Sequence, residues 1–162
     1  MPALQTAGGE VKVRMKGPRE KGYQASCVAI EGRALAISGP PGSGKSSLAL
    51  ALIDRGAQLI GDDAVTLRLI NEGIVAVPPP NIAGKLEIHG VGIVNFPLAP
   101  PTPLALILQL GSDGDRLPDV IKREEVFGIS IPTLAFAPGD IAPALRAEWA
   151  LAMHGLCPVQ PD

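Results

Sequence analysis

The stretch Gly39-Pro40-Pro41-Gly42-Ser43-Gly44-Lys45-Ser46 satisfies G-x-x-x-x-G-K-[ST] at every fixed position. These residue types at this spacing suit the capture of a phosphate chain. Glycines let the backbone curl until its N–H groups point inward at phosphate oxygens. A helix starting at the end of the loop adds about half a positive charge facing the same anion. Lys45 reaches the β- and γ-phosphates, and Ser46 offers its hydroxyl to Mg²⁺. The candidate nucleotide-binding residues are therefore Gly39, Pro40, Pro41, Gly42, Ser43, Gly44, Lys45, Ser46 and Ser47, with Mg²⁺ as the metal. A glycine-rich turn that merely precedes a helix is the plainer reading, and the register of strand, loop, Lys-Ser and helix speaks against it.

A second group of oxygens follows. Asp62 and Asp63 are adjacent at the end of a short apolar stretch, and Glu87 lies farther on. Ser46 and Glu87 are hard-oxygen ligands suited to Mg²⁺, directly or through water. The carboxyl end of a strand is where α/β sheets place ligands. If strand alternation persists through the pair, its two carboxylates point to opposite sides, one toward a metal and one toward an incoming hydroxyl. Alone, an Asp pair more often marks a turn or a cap. One helix and one strand after a phosphate loop, the functional reading is the better one.

Positioning these residues requires strands on either side of the loop. Ala34–Ser38 reads as a buried strand before it, and Ser47–Arg55 as the helix after it, stopped by Gly56. Ser26–Ile30 reads as a strand joined to Ala34–Ser38 by the tight turn Glu31-Gly32-Arg33. Ala57–Gly61 is a short strand leading to the Asp pair. Ala64–Ile70 and Ile74–Val77 form a hairpin about Asn71-Glu72-Gly73. Leu86–Val94 reads as one strand interrupted by glycines, and Leu104–Leu110 as a central buried strand. Ile129–Ile131 is a short strand. Ile141–His154 is a terminal helix with Asp140 as N-cap and Gly155 as its end, and Leu145, Trp149, Leu151 and Met153 form its packing face. The expectation is a mixed sheet flanked by a few helices, with a loose tail over residues 1–20, carrying a weak strand pattern at Val11, Val13 and Met15, and one domain over 21–158.

Composition limits the function classes. The chain has 162 residues, enough for one domain with a proper core, and 46% of them are hydrophobic. Aromatics are 3%, so Ala, Leu, Ile and Val must build that core. A net charge of −2 without a basic block gives no support for nucleic acid or an anionic membrane surface as a partner. Cys27 and Cys157 show no metal or redox spacing and read as ordinary thiols in a reducing cytoplasm. No apolar run approaches a membrane span, and no signal-peptide core opens the chain.

Taken together, GPPGSGKSSLALALIDRGA, LIGDDAV, LEIHGVGIVNF and the fragment DRLP (Asp115 to Pro118) resemble the catalytic domain of the HPr kinase/phosphorylase family over roughly residues 24–118. The resemblance implies a P-loop α/β fold similar to the phosphoenolpyruvate carboxykinase nucleotide domain. It implies a Mg²⁺- and ATP-using protein kinase in its short, catalytic-domain-only form, acting on a serine of the phosphocarrier HPr, with phosphorolysis as the reverse reaction. It also implies a cytoplasmic homo-oligomer, a hexamer in many relatives. By the family pattern Asp62 is the metal-side carboxylate, Asp63 the general base, and Arg116 a neutraliser of charge on the transferred phosphoryl group. Read alone, Arg116 is a solvated loop arginine.

Several positions depart from the pattern. Gln24 stands where the family has a histidine, and Gln cannot titrate or carry charge. His89 replaces the arginine of the signature. Ser47 replaces an acidic residue, and Ala137–Asp140 lacks the arginine of a loop linked to phosphorolysis. Gln24 and His89 motivate a competing reading, a nucleotide-binding regulator with weakened catalysis. A small-molecule P-loop kinase is a third class, and no arginine-rich lid segment supports it.

Overall fold

Short apolar runs separated by glycines and prolines favour strands, and strands dominate the computed structural model. It describes residues 19–157 except 82, 112, 113 and 115. The expected loose tail and strand pattern at Val11, Val13 and Met15, with Asp115 of the DRLP fragment, lie outside the described residues.

The elements in order are β1 (Glu20–Tyr23), β2 (Ser26–Ile30), β3 (Arg33–Ser38), α1 (Lys45–Asp54), β4 (Gln58–Gly61), β5 (Val65–Ile70), β6 (Gly73–Val77), β7 (Lys85–Ile88), β8 (Gly92–Asn95), β9 (Thr102–Gln109), β10 (Lys122–Val126), β11 (Ile129–Ala135) and α2 (Pro143–His154). One mixed sheet runs β1-β5-β6-β9-β3-β2-β4. It forks at β9. The start of β9 pairs antiparallel with β6 at Thr102 and Pro103, and its end pairs parallel with β11 from Ile107 to Gln109. β10 then pairs antiparallel with β11.

Period-two alternation sorts the core. Leu35, Ile37, Leu106 and Leu108 face Leu48, Ala49 and Leu52 of α1 and Ala144, Ala147, Ala150 and Leu151 of α2. Ala34, Ala36 and Ile107 face the opposite side, with Ile60, Leu67, Ile74 and Ala76. Both faces of β3 and β9 are covered, which explains their continuous apolar runs. Cys27 lies in the second cluster, fully buried, and burial pushes its thiol up to about 12. We expect one thiol, Cys157, to react with a thiol reagent near about pH 8, and both to react in denaturant. The raised value stabilises the fold below an unfolded-state thiol pKa of about 8.5, and that stability is lost as pH rises toward about 12.

Several expectations change. Leu86–Val94 is a hairpin rather than one strand, because Gly90 and Gly92 take positive φ and Val91 N–H closes on Ile88 at 2.9 Å. Strand β10 was hidden by its sequence KREEV, which carries charge at four of five positions. Strand β11 continues through Pro132, and β9 takes it up only from Thr133, so the missing N–H costs that ladder nothing. Helix α1 begins at Lys45 rather than Ser47, with Gly44 as its N-cap in left-handed conformation. Helix α2 begins at Pro143 after Ala142, not on an Asp140 cap, since proline is already set for the first helical turn. Its packing face is the alanine stripe with Leu151; Trp149 and Met153 are 61% and 70% exposed. Among the described residues no helix is long and apolar enough to cross a membrane.

Candidate active site

Strand β2 lies between β3 and β4 and is antiparallel to both. The phosphate loop follows β3 and the Asp pair follows β4, so both leave the sheet at the same edge. The antiparallel β2 brings its first residue, Ser26, to that edge as well.

Within the loop Gly39, Gly42 and Gly44 have φ of +154°, +81° and +100°. A Cβ at Gly39 would stand 2.7 Å from Ser43 Oγ and 3.0 Å from the Leu110 carbonyl oxygen. Gly39→Ala is therefore expected to lower stability by about 1–3 kcal/mol in urea unfolding. Lys45 Nζ donates to the carbonyl oxygens of Gly39 at 2.9 Å and Pro40 at 3.2 Å. Phosphate oxygens are stronger acceptors for an ammonium than these carbonyls. The Ser43 hydroxyl oxygen is buried with no partner among the described residues.

Asp62 is the hub of the site. Its Oδ1 accepts hydrogen bonds from Ser46 Oγ at 2.6 Å and from Ser26 Oγ at 2.9 Å. Its Oδ2 faces the Glu87 backbone N–H at 3.5 Å. The Asp63 N–H in turn donates to Ser26 Oγ at 3.3 Å. The expected strand alternation does not run through the pair, since β4 stops at Gly61 and Asp63 has φ +66°. Asp63 is exposed beside its half-buried neighbour Asp62, and aspartate is among the residues that tolerate this left-handed conformation. Gly61 is required just before it, because a Cβ there would press on the Ala64 carbonyl oxygen.

A cavity of about 560 Å³ is lined by Pro41, Gly42, Gly44, Lys45, Ser46, Ser47, Asp62, Asp63, Glu87 and His89. The structure thus gathers most of the candidates that the sequence singled out. Gly39, Pro40 and Ser43 shape the loop behind this lining. Gln24 and Arg116 stand apart: Gln24 is exposed outside the lining, and Arg116 lines a separate cavity of about 700 Å³ beside Arg146, Trp149 and Met153. Ser26 was missed. Its signal was present in the segment Gln24-Ala25-Ser26, but only the antiparallel placement of β2 shows which of those side chains turns inward.

The donor set fits a divalent cation with a phosphate chain. Hydroxyl and carboxylate oxygens meet at Ser46 and Asp62, and Glu87 borders the same space. Among the described residues no group of three or more His, Cys, Asp and Glu is arranged to hold a metal ion by itself. That suits Mg²⁺, which is held by one or two carboxylates together with phosphate oxygens and water.

A family model for the HPr Serine kinase C-terminal domain matches residues 18–99. The HPr kinase/phosphorylase of Clostridium acetobutylicum is 43% identical over 144 residues, 80% of this chain and 47% of that protein. The HPr kinase/phosphorylase of Shouchella clausii is 46% identical over 69 residues, 42% of this chain and 22% of that protein. This chain therefore spans about half or less of the length of these curated relatives. The solved structure of the Hpr(Ser) kinase/phosphatase from Coxiella burnetii superposes with a TM-score of 0.71 at 28% identity, covering 82% of this chain and 95% of that one.

Proposed function

Because this chain belongs to the HPr serine kinase C-terminal domain family, we propose that it is a Mg²⁺-dependent, ATP-using protein kinase acting on a serine of the phosphocarrier HPr. The observation that carries this reading is the convergence of Lys45, Ser46, Asp62 and Asp63 on one cavity.

Phosphoryl transfer demands positioning and charge neutralisation more than covalent chemistry from the protein. The loop N–H groups and Lys45 hold the phosphates, with Lys45 exchanging the carbonyls of Gly39 and Pro40 for phosphate oxygens. Ser46, Asp62 and Glu87 would hold Mg²⁺, which would neutralise charge on the phosphate oxygens. Ser46 gives its proton to Asp62, which leaves its lone pairs free toward the cation. Asp63 takes the proton of the serine hydroxyl as its oxygen bonds to the γ-phosphorus and the bond to the β–γ bridging oxygen breaks, releasing ADP. By the family pattern Arg116 neutralises charge on the transferred phosphoryl group, and Gln24 holds the place of the family's histidine. In reverse phosphorolysis Asp63 returns the proton. A cytoplasmic homo-oligomer is part of the same reading.

The test is transfer of label from γ-labelled ATP to purified HPr with Mg²⁺. Labelled HPr, abolished by chelating the metal, is the expected result. Nucleotide binding without labelling would overturn it and favour the regulator that Gln24 and His89 suggest. Under the kinase reading, Gln24→His is expected to raise the transfer rate or add a titration near neutral pH to the rate profile.

A further inference from the structure

We infer that Ser26 is a positioning residue for this reaction, one hydroxyl that sets the metal-side and the base-side carboxylates together. The inference rests on the kinase reading above and deepens it.

Topology puts Ser26 there. β2 is the strand shared by the one that launches the phosphate loop and the one that ends at the Asp pair, and it runs against both. Its first residue is therefore held at their carboxyl ends by two ladders, with Ser26 paired to Ile37 and its neighbour Cys27 paired to Gly61. Ser26 is fully buried, so its hydroxyl cannot exchange partners with solvent.

Proton bookkeeping then fixes its direction. A serine hydroxyl has one proton to give and lone pairs to receive with. The proton goes to Asp62 Oδ1 at 2.9 Å, and a lone pair receives the Asp63 N–H at 3.3 Å. Ser46 supplies a second proton to the same Oδ1. The result is a chain from the Asp63 backbone through Ser26 and Asp62 to the first turn of α1. The left-handed conformation of Asp63 is anchored at its own N–H by this chain. Removing the hydroxyl leaves the Asp63 amide without its acceptor and Asp62 with one donor fewer. Both carboxylates lose their orientation, while the phosphate loop and Lys45 are untouched.

The test uses Ser26→Ala and Ser26→Thr in the full chain. The first readout needs no protein substrate: affinity for a fluorescent ATP analogue with and without Mg²⁺. In Ser26→Ala we expect the metal-free affinity to be kept and the gain on adding Mg²⁺ to shrink by about tenfold. Amide exchange at Asp63 is expected to quicken by a similar factor. Where transfer to HPr is measured with Mg²⁺, kcat should fall by about tenfold or more and the KM for ATP should rise in step with the lost Mg²⁺ gain. Ser26→Thr, which keeps a hydroxyl, should recover these properties. A Ser26→Ala protein with the parental Mg²⁺ gain and parental Asp63 exchange overturns the proposal. So does a Ser26→Thr protein that melts like the parent yet behaves like the alanine variant. If HPr is never labelled but the Mg²⁺ gain still depends on Ser26, the kinase reading fails and the role of Ser26 in setting the carboxylates stands.

Discussion

Replacing Lys45 by alanine is expected to lower phosphoryl transfer from ATP by roughly 100- to 1,000-fold, the loss typical when a group aimed at developing charge is removed. In the structure its ammonium is parked on the carbonyl oxygens of Gly39 and Pro40. That placement keeps the charge over the loop, within reach of any phosphate the loop amides take in. Truncation should leave the fold intact, because these bonds hold a side chain that does not contribute to either apolar cluster. Urea unfolding should therefore move little while transfer to HPr collapses. Transfer at the parental rate by Lys45→Ala would show that the loop does not serve the reaction.

Asp63→Asn is the sharper test of the proton acceptor. Asparagine tolerates the left-handed conformation that Asp63 adopts, so the backbone at φ +66° and the N–H bond to Ser26 are kept. Only the capacity to take a proton is lost. Turnover is expected to drop by about 100- to 10,000-fold, with nucleotide affinity close to that of the parent. Asp63→Ala would mix this effect with backbone strain of about 1–2 kcal/mol, which makes it a poorer probe. Turnover surviving in Asp63→Asn would move the base elsewhere, to Asp62, Glu87 or His89 among the side chains lining the cavity.

The curled loop before α1 and the place of the Asp pair just after a strand were legible because their information is local. Glycine spacing announces positive φ, and Gly44-Lys45 announces the helix that follows. The hairpin turns at Glu31–Gly32 and Asn71 were legible for the same reason. The strand β10 was not, since an edge strand can carry Lys122, Arg123, Glu124 and Glu125 without any apolar alternation. The start of α2 was misplaced because aspartate is the commoner cap, and proline at the first helical position made a side-chain cap dispensable. Ser26 shows the deeper limit. Its importance comes from which strands lie beside it, and strand adjacency across 36 residues, from Ser26 to Asp62, leaves no periodic trace in the chain. Gln24 drew attention through family resemblance, yet the buried hydroxyl two residues later is the group that meets the Asp62 carboxylate and the Asp63 N–H.

The fork at β9 means that the sheet has three ends among the described residues, β1, β4 and β10, rather than two. Each end is a row of backbone groups on which another chain could add a strand. β1 carries Glu20 and Lys21, and β10 carries four charges in succession. β4, apolar at Leu59 and Ile60, is covered instead by the segment through Leu98 and Ala99, whose N–H bonds the Leu59 carbonyl oxygen at 2.9 Å. Two ends are thus guarded by charged side chains and one by a strap. The colloidal behaviour of the protein should follow that division: pairing at two edges must bury charged side chains, while cutting or loosening the strap near Leu98 opens an apolar edge to aggregation.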